Sequence, residues 1–94
     1  MKLHVKFASG GINVDEVVSG ANAEEVVAAM QQRVAKAAGF LIGMGIRSMT
    51  PLKFAQEATR RYNQAANDDV PLPEDCDAFV RVGIDKGFAT LVEA

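Results

Sequence analysis

The sequence predicts an α+β domain: an antiparallel sheet of about four strands, built from two hairpins in the order β-β-α-α-β-β and covered on one face by two helices. Three observations carry that prediction. Apolar residues alternate on both sides of a glycine pair near the start. Two central segments repeat apolar residues every three or four positions behind recognisable helix-start signals. Alternation then returns near the end around a second glycine turn.

Lys2 to Ala8 puts Leu3, Val5 and Phe7 on one side and Lys2, His4 and Lys6 on the other, the pattern of a half-buried strand. A two-residue loop at Gly10-Gly11 sets Phe7 opposite Val14, Leu3 opposite Val18 and Lys6 opposite Asp15. The same register drops Glu16 opposite Val5 on the apolar side, which a bulge near Asp15-Glu16 would correct. Asn22-Ala23-Glu24-Glu25 is a capping box, so a helix starts at about Ala23. Its stripe of Val27, Met30, Val34, Ala37 and Leu41 leaves Glu24, Gln31, Gln32 and Lys36 for water and runs on toward Arg47.

Ala35 to Met49 holds the longest apolar run and no acid. Ala35, Gly39 and Gly43 share one thin face if this stretch is helical, with a bend or break near Gly39; as a strand it sets Phe40, Ile42, Met44 and Ile46 on one side. Both readings bury Phe40, Ile42 and Ile46. The run is too short to cross a membrane, which takes about 20 apolar residues. Thr50-Pro51 starts the next helix, with Leu52, Ala55, Thr59, Tyr62 and Ala66 inward and Phe54 and Ala58 beside them. Its alanines are the expected partners of the glycine face. Asn67 to Asp77 reads as a proline- and acid-rich loop, and Phe79 to Val92 as a hairpin around Asp85-Lys86-Gly87, pairing Ile84 with Phe88, Val82 with Thr90 and Val80 with Val92.

Ninety-four residues suit one domain spanning 1–94. A net charge of −2 and a pI near 5.3 argue against a nucleic-acid binder. One cysteine excludes an internal disulfide, and no leader pattern opens the chain, so a cytoplasmic location is expected.

Candidate chemistry is sparse, and no catalytic residue, metal site or cofactor is assigned. His4 is the sole histidine, and no partner is signalled for it. Asp75 and Asp77 flank Cys76 and should raise its thiol pKa. The acids Asp68, Asp69, Glu74, Asp75 and Asp77 lack the spacing and central glycine of a calcium loop. Arg47, Thr50, Arg60, Arg61 and Tyr62, with Lys53, are the candidate anion-binding set, because the helix start at Thr50 presents free N–H groups. On the outer sheet face His4, Val17, Phe79, Arg81 and Leu91 form a candidate interface that is only half polar. Two functions are therefore expected. The first is a non-catalytic interaction or accessory protein, a homodimer or bound to another protein, with no nucleic acid or membrane partner. The alternative is a small enzyme or binding protein for a phosphate- or carboxylate-bearing molecule.

Overall fold

The computed structural model describes residues 1–9 and 11–93. Its elements are β1 (Lys2–Ser9), β2 (Ile12–Ser19), α1 (Ala23–Ala38), α2 (Phe40–Arg47), α3 (Pro51–Ala66), α4 (Cys76–Asp85) and β3 (Ala89–Glu93). The class is α+β, but the sheet has three strands in the order β2-β1-β3 and the helices number four among the described residues. The expected four strands and β-β-α-α-β-β order are not what forms.

β1 and β2 pair antiparallel in the expected register, Leu3 with Val18, Lys6 with Asp15 and Phe7 with Val14; Gly10, half of the expected loop, lies outside the described residues. Val5 does face Glu16, and no bulge removes the mismatch. Instead the Glu16 carboxylate reaches the rim of the helix layer, where its Oε1 meets Arg33 Nη1 at 3.2 Å. An acid at an edge-strand position can lean past the core into water, which a central strand would not allow.

The core joins the inner sheet face, Leu3, Val5, Val14, Val18 and Ala89, to Val26, Val27 and Met30 of α1, Phe54 and Ala55 of α3, and Cys76 and Val80 of α4. Both expected starts hold. Asn22 Oδ1 accepts from the Glu25 N–H at 3.0 Å, with Glu25 Oε1 reaching back to the Ala21 N–H at 3.2 Å, and Thr50 Oγ1 accepts from the Lys53 N–H at 3.2 Å.

The helix that begins at Ala23 does not run to Arg47. Gly39 takes φ 92°, a value that favours glycine, and the chain turns there, so α2 doubles back along α1. The small residues do pack closely, but within this helix pair and not against the alanines of α3. A Cβ added at Gly43 would lie 2.5 Å from the Ala35 carbonyl oxygen, while one added at Gly45 would meet nothing within 4 Å. Gln31, expected in water, is 3% exposed. Its Nε2 donates to the Ile46 carbonyl at 2.7 Å and the Met49 carbonyl at 2.8 Å, closing the end of α2 onto α1.

The expected second hairpin is replaced by α4 and β3. Asp75 Oδ1 accepts from the Ala78 N–H at 2.8 Å and starts a helix, placing Cys76, Phe79 and Val80 on one inward-leaning side. Gly87 is left-handed as a hairpin loop would need, but it ends a helix: the Phe88 N–H donates to Gly83 at 2.8 Å and the Gly87 N–H to Ile84 at 3.2 Å, a Schellman cap. β3 then returns along β1 with Leu3 opposite Leu91 and Val5 opposite Ala89.

Gly43→Ala should destabilise the domain by about 2–3 kcal/mol through overpacking on the α1 backbone, whereas Gly45→Ala, in open helical surface, should stabilise it by about 0.5–1 kcal/mol. Urea unfolding of the two variants checks this, and equal effects would contradict the close α1–α2 contact.

Candidate functional site

The candidate anion-binding residues are spread along α3 and its entry. Thr50 caps the helix start, and Tyr62 lies twelve residues on, about 18 Å along the axis. Arg60 is paired with Glu57, Arg61 is exposed, and Arg47 turns back to α1, its Nε donating to Gln32 Oε1 at 3.2 Å. No single pocket gathers these five among the described residues.

Of the candidate interface residues, only His4 and Val17 are brought together, as cross-strand neighbours on the bare sheet face. Phe79 and Arg81 ride on α4, where Phe79 sits edge-on to Phe54 at 6.4 Å between ring centres. Leu91 faces Leu3 and so lies on the helix side of the sheet, half-exposed at its edge. The bare face itself is chiefly polar. His4 Nε2 and Asp15 Oδ1 are 2.5 Å apart there, and the bond to His4 holds the Asp15 carboxyl below its ordinary pKa.

Tyr62 belongs to a brace. Its hydroxyl donates to Asp68 Oδ2 at 3.0 Å, Lys86 Nζ donates to the same oxygen at 3.0 Å, and Phe88 stands edge-on to the Tyr62 ring at 5.3 Å. The next residue, Asn63, exchanges two bonds with the backbone of Val70, at 2.9 and 3.0 Å, and Gln56, six residues before Tyr62, donates from Nε2 to the Pro73 carbonyl at 3.1 Å. The acid-rich loop between α3 and α4 is thus laced to α3. The bond from Lys86, then those from the Asp69 N–H and Tyr62, hold the Asp68 carboxyl below its ordinary pKa.

Groups suited to catalysis are few. Cys76 is the first residue of α4, not a loop thiol, and burial above all, then Glu24, Asp75 and Asp77, push its pKa up, away from a reactive thiolate. Among the described residues no three His, Cys, Asp or Glu side chains converge as a metal site would require.

The feature that does stand out was expected to be interior. On α2, Phe40 is 77% exposed, Leu41 81%, Ile42 64% and Met44 55%; only Gly43 of this helix is buried, and Ile46 is half-buried. Four bulky side chains left this open make an apolar patch on the order of 500 Å², the scale of patches that serve binding. Where the end of α2 meets α1, Ala29, Gln32, Arg33, Lys36 and Arg47 line an open groove of about 370 Å³. Arg33 is engaged by Glu16, and among the described residues no acid pairs with Lys36 or Arg47. One signal in the sequence bears on this exposure. Successive residues on a helix point about 100° apart, so Phe40, Leu41 and Ile42 cannot all face one neighbour.

No helix among the described residues is long and apolar enough to cross a membrane. Comparison with protein-family models, with curated proteins and with solved structures finds no match to this chain.

Because the folded-state pKa of Asp68 is lowered, the stability its charge contributes is complete above its ordinary value of 3.8 and is lost as pH falls through the lower folded value. Thermal melts should therefore show Asp68→Asn less stable than the parent at pH 6, with the gap closing below the ordinary carboxylate range. A gap unchanged into strong acid would remove Asp68 from the brace.

Proposed function

We propose that this domain acts by contact and not by catalysis, as an interaction or accessory module whose docking element is α2. The observation that carries the reading is the exposure of Phe40, Leu41, Ile42 and Met44 together on a helix whose backbone is clamped from behind by Gln31 and Gly43. Apolar side chains on a rigid support are what a binding surface needs, because little conformational freedom is left to lose on docking. The scarcity of activated groups supports the same reading. Self-association as a homodimer is one form that such contact can take, with α2 as the joining element.

Leu41→Ser and Ile42→Ser should each change the folding free energy by less than about 0.5 kcal/mol, since neither residue is buried, and urea unfolding checks this. A loss above about 2 kcal/mol would make them core residues and overturn the reading. Sedimentation velocity at tens of micromolar tests the homodimer: a concentration-dependent dimer abolished by Leu41→Ser supports it, and a strict monomer removes it.

A further inference from the structure

Resting on that contact reading, the geometry points to the occupant of α2 being an anionic lipid surface, onto which the apolar side chains insert while the neighbouring basic groups meet the headgroups. Two independent features specify this partner, one apolar and one electrostatic.

The apolar feature is a knob. Phe40, Leu41 and Ile42 follow one another around α2 and are all exposed, so they fan through about 200° of the helix circumference. A flat protein face covers one side of such a helix. A fluid acyl phase receives all three directions at once, and the helix can lie in the interface with no need to span it. A second copy fits less well. Packed on the same side chains it would bury on the order of 1,000 Å² in total, the lower limit for a specific interface. It would also bring two sets of basic side chains together.

The electrostatic feature is charge segregation. Residues 26–56 carry Arg33, Lys36, Arg47 and Lys53 and no acid, so all twelve acids of the chain lie elsewhere. Arg33, Lys36 and Arg47 line the groove where the end of α2 meets α1. An overall acidic protein therefore presents basic side chains next to α2, which carries Phe40, Leu41 and Ile42, the most exposed large apolar side chains among the described residues. Lysine and arginine there can keep their charges at headgroup level while their stems follow the apolar phase. Lys36 and Arg47, which pair with no acid among the described residues, have charge to spare for a phosphate or carboxylate headgroup.

Flotation of the full chain with vesicles tests this. Binding is expected to vesicles of phosphatidylcholine with about one quarter phosphatidylserine, and to be at least about tenfold weaker to phosphatidylcholine alone. Lys36→Ala should weaken the anionic-vesicle binding about fivefold, and Leu41→Ser combined with Ile42→Ser by more than about tenfold, in proteins whose unfolding curves match the parent. Absence of binding to the anionic vesicles, equal binding to neutral ones, or indifference to the α2 double variant would each overturn the inference. If vesicles are ignored but a dimer forms that Leu41→Ser abolishes, the lipid assignment fails and the contact reading stands. If the double variant unfolds the domain, both fail.

Discussion

The buried carboxamide of Gln31 decides where the middle of this chain goes. Lying nearly inaccessible on α1, its nitrogen donates to two carbonyls, those of Ile46 and Met49, at the point where α2 ends and the chain turns toward α3. Helix ends leave carbonyl groups without partners, and burying them unbonded would cost free energy comparable to a lost hydrogen bond. One side chain bonds both carbonyls, that of Ile46 also accepting from the Met49 N–H at 3.3 Å. With the close approach of Gly43 to the Ala35 carbonyl oxygen, this holds α2 at both its middle and its end, so the helix is fixed in place although most of its own side chains contribute little burial.

That arrangement separates two properties usually found together, apolar character and burial. The core is filled by the inner face of a three-stranded sheet and by α1, α3 and α4, with Leu3, Val5, Val18, Val26 and Val27 wholly enclosed. A domain of this size has one core layer and much surface. Once α1 and α4 lie on the sheet, α2 can reach only the back of α1, where there is space for a glycine and not for phenylalanine or leucine. Its bulky residues face outward because the inward side is taken up by backbone contact.

The opposite end of α3 shows the same use of side-chain amides. Asn63 and Gln56 bond to the backbone at Val70 and Pro73, and Tyr62 with Lys86 holds Asp68, so a loop rich in acid and proline is tied down without a regular element of its own. This placement delivers Asp75 to the start of α4 and so brings Cys76 and Val80 into the core. Five acids, Asp68, Asp69, Glu74, Asp75 and Asp77, fall within or beside that loop, whereas the stretch from Val26 to Gln56 carries four basic residues and no acid.

The sequence by itself determined the features that depend on near neighbours. The β1–β2 register follows from alternation on both sides of a short glycine turn, and the starts of α1 and α3 follow from Asn22 and Thr50, whose side chains act on residues three positions away. Tertiary structure alone decided whether Phe79 to Ile84 would be strand or helix, since the short run suits both periods until Phe79 meets Phe54 and the Gly87 cap closes. It also decided that Phe40, Leu41 and Ile42 stay outside. Hydrophobicity says that a side chain gains by leaving water, but whether room exists for it depends on which other residues have already filled the single core, and that is a property of the whole packed chain.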